Sequence, residues 1–530
     1  MTKTLQHMTL AFAILTLATF APAQVYTDIH DFQETDGCCA NYPSTMVQGQ
    51  DGNIYGATTS GGAHLAGNIF MMTPAGVLTS IFSFDGTHGN GPQSGISMGT
   101  DGNFYGTTYL GGSHGFGTIF KVTPGGGFTE LYDFANTTDG AYPRVPPVQA
   151  ADGNLYGLTG NGTAQILYKL TTAGVFSIMA TLPSQSFSPL ILGTDNNLYG
   201  TTLNGGTFNG GTVFQYSTAT KALKVIFNFH TEFSPHGPLL QGSDGALYGT
   251  CSSGGTGSGG ALFRVTTGGV YKVLVNFVAS SVNGSNPFAG VVQGSDKFLY
   301  GVASTGGANG LGVLFKVSTS GTGYSVLHSF ETASGDTPLS TPLLHTNGTI
   351  YGMASHGGAK TAYGMVYSLT NNLKPFVLPV VLHAGRVNSS VQILGQGFDN
   401  ATGVQFGTGT GTFTIGGDTF MTAKIGSTAT TGLVTVKEPT GNLSSQLTFK
   451  ITPAVTSFTP TSGPVGTSVT ITGQAFTGAT AVKFGTVAAT FTVNSATKIT
   501  ATVPTGAVTA KISVTTPGGT ATSTTSFTVQ

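Results

Sequence analysis

Nine acidic, histidine or tyrosine side chains fall in glycine-rich segments that the sequence marks as loops. Such side chains bind polar ligands, and two carboxylates can hydrolyse a glycosidic bond when they lie about 5 Å or about 6.5–9.5 Å apart. An aspartate in a glycine-rich loop, however, more often forms a turn with its own backbone. The candidate site residues are Asp36, His64, Tyr109, His114, Asp139, Glu232, Glu331, Asp336 and His356.

The sequence lacks the motifs that would bring a metal, a cofactor or an activated nucleophile to these loops. It has no His-Glu-x-x-His pair, no Gly-x-Ser-x-Gly elbow and no EF-hand spacing. Gly-Gly pairs such as Gly61-Gly62 neither open a helix nor end in Lys-Ser/Thr, so they indicate turns rather than a phosphate loop. We therefore predict no metal and no cofactor.

A repeated tyrosine-glycine pair indicates which elements position these loops. The pairs begin at Tyr55, Tyr105, Tyr156, Tyr199, Tyr248, Tyr300 and Tyr351, at intervals of 43 to 52 residues. Such a period, in short strands separated by Gly and Asn/Asp turns, is typical of a β-propeller in which each repeat is one four-stranded blade. The sequence thus predicts an all-β chain with a seven-bladed β-propeller over residues 24–370.

The second repeat shows the expected strand order, A to D, within one blade. Tight turns such as Asp101-Gly102-Asn103 join strand A to strand B, because Gly and Asn tolerate positive φ angles. The predicted strands are A at Ile96–Met98, B at Phe104–Thr108, C at Thr118–Val122 and D at Phe128–Phe134.

The two ends of the repeat region indicate how the ring closes. The seventh repeat reaches strand C, from Gly364 to Leu369, and then leaves the pattern without a strand D. The segment from Val25 to Phe32 carries the missing pattern. Pairing the two segments removes an exposed sheet edge, so we expect an N-terminal strand to close the propeller.

In such a ring the A–B and C–D turns share one face, while the B–C and D–A loops share the other. The turns are short and alike, whereas the loops are longer and differ between repeats. Variable loops on a rigid scaffold are where binding usually resides. The nine candidates fall in these loops, or at the start of one for His356. We therefore predict the ligand site on the loop face.

The repeat region resembles a known family in several phrases. These are DGNFYGTTYLGG (101–112), GTIFKVTPGG (117–126) and ELYDF (130–134), which resemble the GloVer-type tandem repeat of secreted bacterial proteins. The resemblance covers about residues 25–369. It implies a secreted bacterial repeat protein, and it implies no biochemical activity.

The last part of the chain is rich in Thr, Val and Gly and divides into two units. Residues 452–530 contain PTSGPVGTSVTITGQAF (460–476) and AVKFG (481–485), which resemble the IPT/TIG domain, an immunoglobulin-like β-sandwich. Residues 375–451 keep SSVQILGQGF (389–398) and GVQFG (403–407) and resemble a divergent copy. Short strands between Gly/Pro turns independently favour β-sandwiches. We expect these domains to act as a spacer or as accessory modules.

Charge is scarce in this chain. Asp, Glu, Lys and Arg make up 7% of the residues, and the formal net charge is -1. The sequence therefore offers no basic surface for nucleic acid, which we exclude as a partner. Hydrophobic residues make up 39%, enough to build a core.

The N-terminus has the form of a secretory signal over residues 1–23. Lys3 precedes an apolar run from Leu10 to Phe20, followed by Ala21-Pro22-Ala23. The run is shorter than the ~20 residues that span a bilayer. We predict no membrane span and an exported, monomeric protein that begins near Gln24.

The chain has three cysteines, Cys38, Cys39 and Cys251, an odd number for an oxidising compartment. A bond between the adjacent pair would be strained. Both this bond and unpaired thiols stay open.

Two functions from different classes remain. The first is a secreted or cell-surface, non-catalytic binding or adhesion protein whose loop face holds an extracellular carbohydrate or protein. The second is an extracellular polysaccharide-degrading enzyme, a glycosidase or lyase, with its site at the channel mouth of the propeller. A glycosidase would need two of the loop carboxylates to converge there.

Overall fold

The computed structural model describes residues 24–38, 45–161, 164–230, 233–359 and 363–530. The chain is all-β, with 52% strand and 1% helix. The helical elements of the described residues are two 3-10 turns, Thr332–Ser334 and Phe398–Asn400. None of these residues belongs to a helix long and apolar enough to cross a membrane. The predicted signal, residues 1–23, lies outside the described residues.

Within the described residues, the region from 25 to 370 forms seven small antiparallel sheets. The first strand, β1 (Val25–Asp31), belongs to the last sheet. Sheet 1 contains β2 (Val47–Gln48), β3 (Ile54–Thr58), β4 (Asn68–Met72) and β5 (Leu78–Ser83). Sheet 2 contains β6 (Ile96–Met98), β7 (Phe104–Thr108), β8 (Thr118–Val122) and β9 (Phe128–Asp133). Sheet 3 contains β10 (Val148–Gln149), β11 (Leu155–Asn161), β12 (Ala164–Leu170) and β13 (Phe176–Leu182).

The remaining four sheets continue the same order along the chain. Sheet 4 contains β14 (Ile191–Leu192), β15 (Asn197–Thr202), β16 (Thr212–Ser217) and β17 (Leu223–Asn228). Sheet 5 contains β18 (Leu240–Gln241), β19 (Leu247–Cys251), β20 (Ser258–Val265) and β21 (Tyr271–Val278). Sheet 6 contains β22 (Val291–Gln293), β23 (Phe298–Ala303), β24 (Val313–Ser318) and β25 (Ser325–Ser329). Sheet 7 joins β1 to β26 (Asp336–Pro338), β27 (Leu343–Leu344), β28 (Ile350–His356) and β29 (Met365–Thr370).

Sheets 1 to 6 each pair four strands in chain order, as the repeat predicts for A to D. In sheet 2 the strands β6, β7 and β8 have the predicted bounds, and β9 ends one residue earlier than predicted, at Asp133. All five residues of β7 are buried. A middle strand that is buried along its whole length is covered on both faces, so neighbouring sheets pack against each other.

The predicted closing strand is present. Strand β1 pairs antiparallel with β29 from Val25 opposite Thr370 to Asp31 opposite Met365. Next to it, the Phe32 backbone N–H donates to the Gly364 carbonyl at 3.0 Å. The Phe32 ring is fully buried and lies 5.8 Å from the Phe70 ring of sheet 1. The N-terminal segment therefore holds the first and last sheets together.

Consecutive sheets are also joined through buried glutamines on their first strands. The side-chain oxygen of each accepts a hydrogen bond from a backbone N–H in the A–B turn of the preceding sheet. These bonds join Gln149 to Thr100 (2.7 Å), Gln241 to Thr194 (2.8 Å) and Gln293 to Ser243 (2.8 Å). Sheet 7 meets sheet 1 in the same way, because the Thr346 N–H donates to Gln48 at 2.9 Å.

The seven repeated tyrosines belong to this scaffold. Each is buried, with at most 2% of its surface exposed. In sheets 1 to 6 the hydroxyl donates to the aspartate four residues earlier, in the A–B turn, as from Tyr105 to Asp101 at 2.8 Å. In sheet 7, Asn347 takes the place of the aspartate, and the Tyr351 hydroxyl instead donates to the Pro74 carbonyl at 3.3 Å. The tyrosine thus fastens strand B to its turn.

Two further β units follow, and they share one pattern of strand pairing. The first contains β30 (Leu378–Pro379), β31 (Ala384–Gly385), β32 (Ser390–Leu394), β33 (Gly403–Phe406), β34 (Gly409–Gly417), β35 (Phe420–Lys424), β36 (Val434–Glu438), β37 (Gly441–Ser444) and β38 (Lys450–Ile451). The second contains β39 (Ala454–Thr459), β40 (Ser462–Gly463), β41 (Ser468–Gln474), β42 (Ala481–Phe484), β43 (Val487–Ala488), β44 (Phe491–Ser495), β45 (Lys498–Thr502), β46 (Ala510–Thr516) and β47 (Gly519–Val529).

The pairing order β30-β32-β35-β34 in the first unit matches β39-β41-β45-β44 in the second. The order β33-β36-β37 likewise matches β42-β46-β47. Each unit has its own apolar core, around Ile393 and Phe406 in the first and around Ile471 and Phe527 in the second.

The first unit lies directly against the A–B turns of sheets 1 and 7. Gln50 donates from Nε2 to Oε1 of Gln392 at 3.2 Å, and its carbonyl accepts a bond from the Thr419 hydroxyl at 2.7 Å. The Thr346 hydroxyl donates to the Gly395 carbonyl at 3.0 Å. The first unit is therefore fixed to the repeat region, rather than being held away from it as a spacer.

Candidate functional site

One residue in each D–A loop, eight positions before the A–B turn, lies beside its equivalents from neighbouring sheets. Because the first strands of adjacent sheets are in contact, the residues that lead into them are brought together. We call the described members in sheets 2 to 7 the inner arc: Gln93, Arg144, Phe187, His236, Phe288 and Leu339. Gln93 is buried, and the other five are half-buried.

Five successive members of the inner arc, from Gln93 to Phe288, are in direct contact. Arg144 donates from Nη1 to Oε1 of Gln93 at 3.0 Å, and its guanidinium carbon lies 5.1 Å from the centre of the Phe187 ring. The Phe187 ring stacks on His236 with centroids 5.8 Å apart. His236 in turn lies 4.1 Å from the Phe288 ring. The inner arc is thus one continuous surface of planar groups contributed by five sheets.

Arg144 is held on two sides by an aromatic B–C loop residue and by the arc. Its Nη2 donates to the Tyr109 hydroxyl at 3.1 Å, and its guanidinium lies 4.4 Å above the Tyr109 ring. A guanidinium stacked and hydrogen-bonded in this way is fixed in orientation. Arg144 therefore presents a fixed cationic group beside an aromatic face.

His236 contributes an uncharged imidazole to the arc. Burial lowers the pKa of His236, although a hydrogen bond with the Ser234 carbonyl acts in the opposite direction. Its Nδ1 lies 3.1 Å from that carbonyl oxygen and 2.9 Å from the Ser252 hydroxyl. A carbonyl only accepts, so Nδ1 carries the proton. Nε2 is then an acceptor that has no partner among the described residues.

Exposed aromatic and apolar residues extend the arc outward over sheets 2 and 3. Tyr142 is 39% exposed, and its ring lies 5.2 Å from Tyr109 and 5.7 Å from Phe116. Leu110, next to Tyr109, is 40% exposed. The loop face therefore carries an apolar and aromatic strip that begins at Arg144.

Sequence profiles of known families match most of the chain. The Gloeobacter/Verrucomicrobia repeat matches residues 15–189, 148–292, 185–407 and 234–488, and the IPT/TIG domain matches residues 453–529. The chain belongs to the Gloeobacter/Verrucomicrobia repeat family. Both resemblances expected from the sequence are thus confirmed. No curated protein sequence matches this Gloeobacter/Verrucomicrobia repeat protein.

Solved structures are similar to this repeat protein only at a distance. An oligogalacturonate lyase from Vibrio parahaemolyticus is 12% identical, with 65% of this chain and 93% of the lyase covered and a TM-score of 0.45. A fungal alcohol oxidase of the AA5 family is 12% identical, with 95% and 99% covered and a TM-score of 0.44. The protein SGBP-B from Bacteroides uniformis is 20% identical over 27% of this chain and 46% of its own, with a TM-score of 0.16.

Of the nine predicted site residues, Tyr109 is the one that contacts the inner arc, through Arg144. His64 and Glu331 are exposed on their own loops. Glu232 lies outside the described residues.

Four other candidates pair locally. Asp336 and His356 lie opposite each other in the pairing of β26 with β28, with Oδ1 and Nδ1 3.8 Å apart. His114 Nδ1 lies 2.8 Å from Oδ2 of Asp133, at the end of β9. Asp36 Oδ2 lies 3.2 Å from Nε2 of His30, and its other oxygen accepts a bond from the Gln33 N–H at 2.7 Å. Each pair holds a loop against a neighbouring strand.

Asp139 forms a turn. Its carboxylate is buried and accepts hydrogen bonds from the Ala135 and Thr137 N–H groups, both at 2.9 Å, and from the Tyr132 hydroxyl at 3.2 Å. Burial raises its pKa, but these bonds together outweigh burial and lower it. Asp139 is therefore an ionised residue whose oxygens are already occupied.

The sequence did not single out the inner arc, because the residue type changes from sheet to sheet. The constant distance of eight residues to the turn aspartate was the signal that could have found it. A carboxylate pair was also missed: Asp28 shares a hydrogen bond with Asp31, and burial together with Asp31 raises the pKa of Asp28 to about 6. This pair lies on β1, at the edge of sheet 7.

Neither described cysteine is a member of the arc. Cys251 is fully buried in β19, and burial raises the pKa of its thiol. Cys38 Sγ lies 3.0 Å from the Ser60 hydroxyl. Cys39 lies outside the described residues, so a bond between Cys38 and Cys39 and unpaired thiols both stay open.

Proposed function

We propose that the seven sheets are the blades of a seven-bladed β-propeller closed by β1, and that its loop face binds an extracellular carbohydrate. The ring is supported by four glutamine bonds between consecutive sheets, one of which joins sheet 7 to sheet 1. It is also supported by two adjoining cavities of about 450 and 280 Å³. Together these are lined by residues of the first strand in sheets 1 to 6 and of β27 in sheet 7, among them Val47, Met98, Val148, Ile191, Leu240, Val292 and Leu344.

One end of this central space is covered by the chain itself. The linker, residues 371–383, leads from sheet 7 into the first β unit and contains β30. Its residues Leu378 and Pro379 line both cavities, and the first β unit bonds to the adjacent turns. The opposite end is the loop face, where the inner arc lies. The loop face is therefore the side of the propeller left open to a large ligand.

The composition of the inner arc is the observation that favours a carbohydrate ligand. A sugar ring offers an apolar C–H face and a rim of hydroxyl groups. Phe187 and Phe288 supply half-buried aromatic faces, and Arg144 and His236 supply a fixed cationic group and a free acceptor beside them. Aromatic bodies with a few placed polar groups are what binding sites for small polar ligands contain.

Binding without catalysis is the function that this surface supports. The described members of the arc include neither Asp nor Glu, whereas glycoside hydrolysis needs two carboxylates at a fixed separation. A polysaccharide-degrading enzyme is the alternative, and it is an outcome of the test below.

The protein acts outside the cell as a monomer under this proposal. The secretory form of residues 1–23 and the low charge support export. The first β unit acts as a divergent immunoglobulin-like domain, a view supported by its strand order, which matches that of the IPT/TIG unit. It serves as an accessory domain that is fixed to the A–B turns of the propeller.

The test is a glycan-array screen of residues 24–530, followed by titration of the best ligand. The double variant Phe187→Ala/Phe288→Ala is expected to weaken binding at least tenfold, about 1.4 kcal/mol. Val270→Ala is the control, since Val270 is 69% exposed in a C–D turn of sheet 5, on the face opposite the loops. Unchanged binding by the double variant refutes the site. Release of shortened glycans by the wild-type chain would support the enzyme instead.

A further inference from the structure

The central space contains a chamber that the proposed carbohydrate site does not use. The larger cavity, of about 450 Å³, has walls formed by side chains such as Met98, Ile191 and Leu344 and a floor formed by Val380 and Val381 of the linker. Its size falls within the range of about 300–1,000 Å³ typical of small-molecule pockets. Apolar walls of this kind hold water poorly, because a buried water needs two to four polar partners.

His383 is the polar group that faces this chamber. It lines both cavities, where the linker enters the first β unit. Its backbone carbonyl accepts a bond from the Lys450 N–H at 2.8 Å, but its imidazole has no hydrogen-bond partner among the described residues. Burial lowers the pKa of His383 to about 4, so the ring is neutral at pH 7.

The other polar side chain that lines the larger cavity is already engaged, because Gln48 bonds to Thr346 through both its side-chain atoms. In the smaller cavity, Gln241 bonds to the Thr194 N–H and to the Gly245 carbonyl. His383 is half-buried and lines the cavity, so a hydrogen bond from a bound ligand to its imidazole adds to the free energy of binding. His383 is therefore the group to which a ligand would bond.

We infer that the chamber binds an uncharged, apolar molecule that carries one hydroxyl or carbonyl group, and that this group hydrogen-bonds to the imidazole of His383. A neutral imidazole has one donor and one acceptor nitrogen, so it accommodates either group. A charged ligand is disfavoured, because the chamber would remove it from water without an opposite charge to pair it. The apolar part of the ligand lies against the inner strands.

Displacement of a fluorescent probe tests this inference on the full chain. N-phenyl-1-naphthylamine, an uncharged apolar dye, is titrated into the protein and then displaced by octan-1-ol or by n-octane. The ratio of the two displacement constants measures the contribution of the hydroxyl group. In His383→Leu this ratio is expected to fall about two- to tenfold, the value of one hydrogen bond.

A second pair of variants tests whether the dye binds in the chamber. Ile191→Phe fills the chamber and is expected to weaken dye binding at least tenfold. Val270→Phe is the matched control, since Val270 is 69% exposed in a C–D turn of sheet 5. Near-ultraviolet circular dichroism checks that each variant is folded, and if Ile191→Phe is not, the His383→Leu ratio decides. An unchanged ratio in His383→Leu, or no saturable dye binding by the wild-type chain, overturns the inference.

Discussion

Removal of the Phe32 side chain tests whether the N-terminal segment closes the sheets. This ring is fully buried and lies 5.8 Å from Phe70, between sheets 7 and 1. Replacing a buried phenylalanine with alanine costs about 3–5 kcal/mol, because apolar area is lost and a cavity remains. We expect Phe32→Ala to lower the free energy of unfolding by this amount. Phe208→Ala, at a 46% exposed position, is expected to lower it by less than about 1 kcal/mol.

The assay is equilibrium unfolding in urea, followed by tyrosine fluorescence, since the chain has 18 tyrosines and no tryptophan. Deletion of residues 24–33 extends the test, because it removes β1 and exposes the edge of β29. The deletion variant is expected to show a collapsed melting temperature and to form aggregates in size-exclusion chromatography. If Phe32→Ala is no less stable than Phe208→Ala, or the deletion leaves the melting temperature unchanged, the closure plays no part in stability.

Two further predictions concern the scaffold and pH. Tyr105→Phe is expected to lower the free energy of unfolding by about 1 kcal/mol, because it breaks a hydrogen bond to the Asp101 carboxylate. Tyr351→Phe is expected to lower it less, since the partner of Tyr351 is a carbonyl at 3.3 Å. Equal losses of the two variants in urea unfolding would contradict the role of the tyrosine–aspartate bond. The second prediction concerns His383, whose pKa is about 6.5 in the unfolded chain but about 4 in the folded chain. As the pH falls from 7 to 5, the free energy of unfolding is therefore expected to fall by about 2 kcal/mol more in the wild-type chain than in His383→Leu. Parallel losses in the two chains would show that His383 is solvated.

Much of the scaffold could be predicted because the same pattern of strands and turns occurs seven times in the sequence. The bounds of β6, β7 and β8, and the pairing of β1 with β29, followed from the spacing of strands and turns. The role of the tyrosines followed less directly, although Asp101 and Tyr105 show the four-residue spacing that recurs in sheets 1 to 6. Repetition identifies what the fold needs in every sheet.

The inner arc and the chamber could not be found in the same way. Arg144, Phe187 and His236 occupy one position in three sheets but share no chemical type, so nothing in the sequence repeats there. The acidic loop residues were more conspicuous in the sequence, yet the carboxylate of Asp139 is occupied by hydrogen bonds within its own turn. The position of His383 depends on how the linker folds against the first strands, a contact between segments far apart in sequence.

The most direct test of the central claim is a crystal structure of the chain with the best glycan from the array. We expect sugar density on the loop face, with a ring against Phe187 or Phe288 and a hydroxyl within hydrogen-bond distance of Arg144 or His236. Density confined to the two C-terminal units, or on the face formed by the A–B turns, would contradict it.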